Sequence, residues 1–187
     1  MKPAELLQIL HTAEHLKDVT RHAYTSGRRH ESVAEHSWRL ALMAFFLRDE
    51  FPELDMDKVI RMGLIHDLGE IFTGDIPTFL KTDAHRATED SLLDQWVATL
   101  PAPYCQEMAA LYDEMNALQT PEAKLYKSLD KLEAVVQHNE SPLDTWSENE
   151  YSLNLTYATD TVAWSEYLTV LRAAIRAETE AKIEKGE

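Results

Sequence analysis

Apolar side chains recur at helical spacing along most of the chain, and this pattern predicts an all-α fold. Leucines mark one face of a first predicted helix over residues 3–16. The polar residues 17–31 have no regular spacing and predict an irregular segment. A capping box over residues 32–35 begins the next predicted helix, which ends before Pro52.

The remaining helices follow from the same spacing and from residues that begin and end helices. They are predicted over residues 56–72, 83–100, 104–118, 120–139 and 160–182. His66 and Asp67 lie inside the first of these five. The chain has only 5 Gly and 7 Pro, too few for a turn-rich β architecture, and we predict no strand.

The charge of the chain limits its partners. Lys and Arg number 18 and Asp and Glu number 33, so the net charge is −15. Such an acidic protein repels a phosphate backbone, and we expect no binding to nucleic acid. A basic segment nevertheless holds Lys17, Arg21, Arg28, Arg29 and Arg39. This segment is compatible either with a solvated loop or with a site for a small anion.

Cysteine content and hydropathy indicate the cellular compartment in which the protein is expected. Cys105 is the single cysteine, so no disulfide can form within the chain, as is typical of reducing compartments. The longest apolar run, residues 40–47, is too short to span a bilayer, and residues 1–5 lack the apolar core of a secretion signal. We therefore expect a cytoplasmic protein without membrane contact.

Histidine and aspartate occur in an order that suits a metal ion, with His36 first, the pair His66–Asp67 next and Asp130 last. Two imidazoles and two carboxylates can bind one divalent cation and leave positions free for water and substrate. Such an arrangement is typical of hydrolytic metal centres. This set of ligands leaves Mn²⁺, Co²⁺, Fe²⁺, Mg²⁺ and Zn²⁺ open as the bound ion.

Two further carboxylates are candidates for proton transfer. Glu70 lies four residues after His66, on the same face of the predicted helix, where it could orient or deprotonate a metal-bound water. Asp75 follows Gly74 and could protonate a leaving oxygen or hold a sugar hydroxyl. Taken alone, Glu70 is better interpreted as a surface carboxylate and Asp75 as a turn residue.

Together these motifs resemble those of one enzyme family. They comprise Arg21, Arg29-His30-Glu31-Ser32-Val33-Ala34-Glu35-His36, His66-Asp67-x-x-Glu70-x-x-x-Gly74-Asp75-Ile76-Pro77 and Lys127-Ser128-Leu129-Asp130-Lys131-Leu132-Glu133. The pattern is similar to that of the HD-domain metal-dependent phosphohydrolases, in particular the bacterial 5′-deoxyribonucleotidases and their eukaryotic HD-domain relatives. The likeness covers about residues 5–140. We expect residues 1–187 to form one domain, with a helical extension over about 141–187.

The resemblance implies a compact HD-domain helical bundle, commonly a homodimer, with a metal ion in an open cleft. It implies that His36, His66, Asp67 and Asp130 bind the metal, that Glu70 and Asp75 serve the chemistry, and that Arg21 meets the 5′-phosphate. Dinuclear relatives need extra histidines before the last aspartate, and this chain has only His85 there, so one divalent ion is expected.

Other residues are assigned to the surroundings of the cleft. We expect Lys17 and Arg29 to help bind the phosphate at the rim. His22 stands where the bacterial enzymes have a tryptophan beside the arginine, and we expect it to line the cleft. Glu133, three residues past Asp130, is expected to matter less than Glu70.

The expected function is hydrolysis of (deoxy)ribonucleoside 5′-monophosphates to nucleoside and phosphate. One alternative is an HD phosphohydrolase for another phosphorylated metabolite or for a polyphosphorylated nucleotide. Identifying the product as phosphate, pyrophosphate or triphosphate separates these possibilities. A different alternative is a nucleotide-binding module with a retained metal site, against which the presence of both Glu70 and Asp75 argues.

Overall fold

A computed structural model of the chain describes residues 1–186, which fold into helices and one two-stranded antiparallel sheet. The predicted all-α class is confirmed. The helices are α1 (Pro3–Glu14), α2 (Val33–Phe46), α3 (Met56–Ile65), α4 (Glu70–Thr73), α5 (Asp83–Ala98), α6 (Tyr104–Ala117), α7 (Pro121–Glu140), α8 (Glu148–Thr156), α9 (Thr159–Val162) and α10 (Glu166–Lys185). None of the helices within residues 1–186 is long and apolar enough to cross a membrane.

A β-hairpin occupies the segment that was predicted to be irregular. Strands β1 (Thr20–Tyr24) and β2 (His30–Ser32) pair antiparallel, with an irregular register between their two ends. Strands of five and three residues are too short to display the alternation by which a strand is recognised in a sequence. The hairpin leads directly into α2 and places Arg21 and His22 beside the helical bundle.

The hydrophobic core lies where α2, α3 and α7 pack together. Its fully buried side chains include Leu40, Val59, Met62, Leu125, Leu129 and Leu132. Gly63 allows α2 and α3 to approach closely, because a methyl group at this position would overlap the side chain of Leu40. The core therefore fixes the relative positions of the three helices that carry or precede the candidate metal ligands.

The capping box predicted for α2 is present. Ser32 Oγ accepts a hydrogen bond from the Glu35 backbone nitrogen at 3.2 Å, and the Glu35 carboxylate accepts one from the Ser32 backbone nitrogen at 2.9 Å. These bonds satisfy helix-end donors that would otherwise lack partners. They fix the first turn of α2, which contains His36.

The helix predicted to run through His66–Asp67 is interrupted at this pair. Helix α3 ends at Ile65, and α4 begins only at Glu70. Tyr112 donates a hydrogen bond to the Ile65 carbonyl oxygen at 2.6 Å, which satisfies one of the carbonyls at the end of α3. Adjacent residues of a continuous helix point about 100° apart, so the break helps both side chains of the pair to approach one point.

The C-terminal region also differs from its prediction. Helix α8 was not predicted, and two helices, α9 and α10, replace the single helix expected over residues 160–182. Arg172 of α10 is buried and bonds the backbone oxygens of Asn154 and Tyr157 at the end of α8. Helix α8 is thus held firmly against the rest of the bundle.

Candidate active site

The four predicted metal ligands converge on one point of a cavity. His36 comes from the first turn of α2, His66 and Asp67 from the break after α3, and Asp130 from the middle of α7. The Nε2 atoms of His36 and His66 lie 3.2 Å apart. Asp67 Oδ2 is 2.9 Å from His66 Nε2, and Asp130 Oδ1 is 3.2 Å from His36 Nε2. We call these four residues the HD quartet.

The donor atoms of the HD quartet suit a divalent cation. His66 Nδ1 lies 3.0 Å from the Gly63 carbonyl oxygen, which can only accept, so Nδ1 must carry a proton and Nε2 can present its lone pair to the centre of the quartet. A backbone bond of this kind commonly orients a histidine that binds a metal. The Nε2 atoms of His36 and His66 lie within 4 Å of each other and of one oxygen of Asp67 and one of Asp130. Two nitrogen and two oxygen donors match the ligand chemistry of Zn²⁺ and related ions.

The charges around the quartet also favour a cation at its centre. Burial and Arg21 lower the pKa of His36, but Glu133 and Asp130 outweigh them and raise it to about 9. Burial opposes ionisation of Asp130, yet Lys127 and the two histidines hold the pKa of its carboxyl well below the usual range. The quartet therefore retains negative charge that a metal ion would neutralise.

Glu133, which was expected to matter less than Glu70, lies directly beside the quartet. Its carboxylate is fully buried and bonds His36 Nδ1, the opposite side of the ring from the quartet. Arg39 Nε donates to the same carboxylate at 2.6 Å and Arg21 Nη1 at 3.2 Å. Because a carboxylate in this position orients a ligand histidine, Glu133 helps to determine the geometry of the quartet.

Glu70 and Asp75 line the same cavity as the quartet. Glu70 is 4% exposed, and Lys81 Nζ lies 3.6 Å from its Oε1 atom. Burial and the carboxylates of Asp67 and Asp75 raise the pKa of Glu70 to about 10, while Lys81 acts in the opposite direction. Burial also raises the pKa of Asp75, against the effect of Arg21. Both groups are therefore suited to holding and transferring a proton.

The cavity has a volume of about 440 Å³, and both basic and acidic side chains line its walls. Arg21 lies on one wall and donates to Glu31 at 2.9 Å as well as to Glu133. The other basic side chains of the wall, for which no role was predicted, are Lys81, Arg86, Lys127 and Lys131. Lys127 Nζ donates to Asp130 Oδ2 at 2.7 Å. The volume is in the range usual for sites that bind small molecules.

Lys17 and Arg29 do not reach this cavity. Both line a separate surface depression beside the hairpin. The Arg29 guanidinium pairs with Glu35, and Lys17 lies 3.9 Å from Glu14. Their nearness to Arg21 in the sequence does not bring them to the quartet, because the hairpin separates the side chains in space.

His22 lines the cavity, as expected, but it belongs to a cluster that the sequence did not reveal. Its Nε2 atom lies 2.9 Å from Glu150 Oε1, and its ring meets the Phe79 ring edge-on at 5.7 Å. His138 Nε2 lies 2.9 Å from the same oxygen. The only signal for Glu150 in the sequence is its spacing from Leu153, Asn154 and Tyr157, which form one face of α8.

Comparison with known proteins is consistent with this fold and site. The HD domain family matches residues 13–170. Human 5′-deoxynucleotidase HDDC2 is 34% identical over 140 residues, which cover 72% of this chain and 67% of the human protein. The dATP triphosphohydrolase of cyanophage S-2L is 33% identical over 138 residues, 70% of each chain.

Solved structures share the whole fold. A predicted metal-dependent phosphohydrolase from Magnetospirillum magnetotacticum MS-1 has a TM-score of 0.79 at 26% identity, covering 96% of this chain and 95% of that one. The cyanophage S-2L HD phosphohydrolase DatZ, bound to dA and one catalytic Zn²⁺ ion, shares the fold with a TM-score of 0.60 at 22% identity, covering 94% of this chain and 96% of that one.

The fold and the quartet thus define the class of helical proteins with a His…His-Asp…Asp centre. The chain belongs to the HD-domain family, and the resemblance stated from the sequence is confirmed.

Proposed function

We propose that this protein is a metal-dependent phosphomonoesterase that releases phosphate from deoxyribonucleoside 5′-monophosphates. The observation that carries this proposal is the meeting of the HD quartet, Glu70 and Arg21 in one cavity. The similarity to human 5′-deoxynucleotidase HDDC2 supports the choice of substrate.

The HD quartet would hold a single divalent ion. When bound, this ion supplies the positive charge that polarises a phosphoryl oxygen and lowers the pKa of a bound water. Glu133 holds His36 in the orientation that this role requires.

The protein's own side chains bind the substrate and move protons. Arg21, whose pKa rises beside Glu133 and Glu31 in spite of burial, stays charged and can pair with the phosphate. A cation on the quartet would favour the ionised form of Glu70, which could then take the proton of the attacking water. Asp75 would give a proton to the leaving ester oxygen or hold a sugar hydroxyl. Lys81 lies close to Glu70 and favours its ionised form.

A second candidate function is hydrolysis of a deoxynucleoside triphosphate, because the similar cyanophage S-2L protein is a dATP triphosphohydrolase. The test incubates the protein with each divalent metal in turn and with dAMP, AMP or dATP, and identifies the products. Phosphate and deoxyadenosine from dAMP support the proposal. Triphosphate from dATP, with dAMP left intact, supports the second candidate and contradicts the first.

We further propose that the protein is a cytoplasmic homodimer. Helix α1 buries none of its own side chains within residues 1–186, and it exposes Leu6, Leu7 and Leu10. Helix α2 exposes Trp38 and Phe46 as well. Apolar side chains in such number are typical of an interface. Light scattering on the wild type and on Leu7→Glu/Leu10→Glu tests this, and a monomeric wild type would contradict the dimer.

A further inference from the structure

One face of α8, together with Tyr157 directly after the helix, forms a wall of the active-site cavity. Glu150, Leu153, Asn154 and Tyr157 all line the cavity, at spacings of three, four and seven residues from Glu150. This spacing places side chains on one side of a helix. No role was assigned to any of the four from the sequence. We call this set the α8 face.

Asn154 is the member of the α8 face with unused hydrogen-bonding capacity. It is 3% exposed, and its Nδ2 atom finds no hydrogen-bond partner among residues 1–186. A buried amide donor without a partner costs free energy, and such groups are rare in native structures. A ligand in the cavity that supplies an acceptor would remove this cost.

Hydrogen bonds from Arg172 of α10 hold the backbone around Asn154 in place. Arg172 Nη2 donates to the Asn154 carbonyl oxygen at 2.8 Å, and Arg172 Nε donates to that of Tyr157 at 2.6 Å. Arg172 is itself buried. The backbone that carries the Asn154 side chain is therefore positioned by the fold before any ligand arrives, as recognition requires.

Glu150 holds the other end of the α8 face and has little capacity left for a ligand. Its Oε1 atom lies 2.9 Å from both His22 Nε2 and His138 Nε2. Its Oε2 atom accepts from the Ser147 backbone nitrogen at 2.5 Å. Glu150 thus connects α8 to β1 and α7 through these contacts. Asn154 is the polar residue of the α8 face that remains available to bind a ligand.

The order of residues along α8 places Asn154 beyond the reacting group. Lys131 Nζ lies 5.5 Å from the centre of the Tyr157 ring, and Lys131 directly follows Asp130 in α7, so Tyr157 lies toward the HD quartet. Asn154 is three residues earlier, which is about 4.5 Å along a helix axis. Leu153 and Phe79 add apolar surface to the cavity wall. If the phosphate of a nucleotide binds near the quartet, its nucleoside part would contact this wall.

We infer that the α8 face is the nucleoside-binding wall of the cavity and that Asn154 is its specificity-determining residue. The Asn154 carboxamide donates a hydrogen bond to an acceptor on the nucleobase or the deoxyribose, and Leu153 and Phe79 contact the apolar surface of the nucleoside. This inference rests on the proposed function for the identity of the ligand, and its test does not depend on turnover.

The test measures binding of the four deoxynucleosides, which lack a phosphate, to the metal-loaded protein by calorimetry. Asn154→Asp keeps the shape of the side chain and removes the donor, whereas Asn154→Leu removes all hydrogen bonding. Both variants should bind deoxynucleosides about tenfold more weakly than the wild type, the effect of one lost hydrogen bond. Asn116→Leu, at an exposed position on α6, is the matched control and should bind as the wild type does.

Binding of inorganic phosphate and of deoxyribose 5-phosphate completes the test. Phosphate should bind equally to all four proteins. Unchanged binding of deoxyribose 5-phosphate to the Asn154 variants assigns the contact to the base, and weakened binding assigns it to the sugar. Deoxynucleoside binding by Asn154→Leu at wild-type strength, no deoxynucleoside binding by the wild type, or an equal loss of phosphate binding would each overturn the inference.

Phosphate release from dAMP, measured on the same samples, separates this inference from the proposed function. Weaker deoxynucleoside binding in proteins that release no phosphate would support the Asn154 contact and contradict the phosphomonoesterase. Full phosphate release by an Asn154→Leu protein that binds deoxynucleosides normally would support the phosphomonoesterase and contradict the Asn154 contact.

Discussion

Glu70 is deeply buried in the cavity, and Lys81 Nζ lies 3.6 Å from its Oε1 atom. Burial raises the pKa of Glu70, while the charge of Lys81 favours the ionised form that a general base requires, as a cation on the quartet also would. If its carboxylate takes the proton of the attacking water, Glu70→Gln should reduce phosphate release by about 10²–10⁴-fold, the usual contribution of one general base. The metal content should stay the same, because Glu70 is not one of the four proposed ligands. Steady-state phosphate assays with elemental analysis of the same samples measure both quantities.

The matched control for Glu70→Gln is Glu178→Gln, at an exposed position of α10. It makes the same chemical change far from the cavity and should retain full activity. Wild-type rates in a metal-loaded Glu70→Gln protein would exclude Glu70 from proton transfer.

Glu133 provides a second test at the scale of single residues. The glutamine of Glu133→Gln fits the same space but cannot serve as a charged acceptor for His36, Arg39 and Arg21. We expect metal affinity to fall by about 10–100-fold, as for other residues that orient a ligand histidine. Competition with a metal chelator measures this change. An affinity equal to that of the wild type would show that His36 is oriented without Glu133.

At the scale of elements, the contact between α2 and α3 sets the distance between His36 and His66. Gly63→Ala would push a methyl group into Leu40, and overpacking of this kind costs about 1–3 kcal/mol of unfolding free energy. Leu40→Ala opens space for that methyl group, so the double variant should be more stable than the sum of the two single changes predicts. Urea unfolding of the four proteins measures the coupling, and strictly additive effects would contradict this account of Gly63.

The capping box of α2 predicts that the stability of the protein depends on pH in the acidic range. The bond from Arg29, helped by the Ser32 backbone, lowers the pKa of Glu35 to about 2 against the opposing effect of burial. A lowered pKa gives stability that is complete above the unfolded value, about 4.3, and is lost as the pH falls toward about 2. As the pH is lowered between these limits, the unfolding free energy of Glu35→Gln should decrease less steeply than that of the wild type. Equal slopes in denaturant titrations would contradict this assignment.

The elements show what the sequence could predict. Helices α2 and α7 were predicted because each combines a regular apolar stripe with a recognisable cap, Ser32 for α2 and Thr120 for α7. The hairpin was missed because its strands are too short to alternate. The break at His66 was missed because the hydrogen bond from Tyr112 that helps to end α3 joins residues 47 apart.

The same limit applies to the site. That the residues of the HD quartet and Glu70 lie close together could be predicted, since the order His…His-Asp…Asp is a recognisable metal-binding motif and Glu70 is four residues from His66. Their roles in binding a metal and in catalysis stay predictions. Glu133 could not be predicted, because its role depends on how α7 is rotated against α2. Arg29 was wrongly placed for a related reason, since sequence distance says little about which side of a hairpin a side chain occupies.

On the scale of the whole molecule, the distribution of charge matters more than its sum. The protein carries a net charge of −15, yet Arg21, Lys81, Arg86, Lys127 and Lys131 line one cavity. The same cavity is also lined by the carboxylates of Asp67, Glu70, Asp75, Asp130 and Glu150. A metal ion on the quartet would neutralise part of this negative charge, and the Arg and Lys side chains could then attract a small anion to the interior. The acidic surface repels long polyanions, so the arrangement favours a small phosphorylated molecule over nucleic acid.

A metal titration tests the central claim most directly. The protein is freed of metal with a chelator, and phosphate release from dAMP is followed as Mn²⁺, Co²⁺ or Zn²⁺ is added in known ratios. If the HD quartet holds the catalytic ion, activity should rise linearly and stop rising at about one ion per chain, and Asp67→Asn should show no such rise. Full activity in the metal-free protein, or a titration that ends at two ions per chain, would contradict the account.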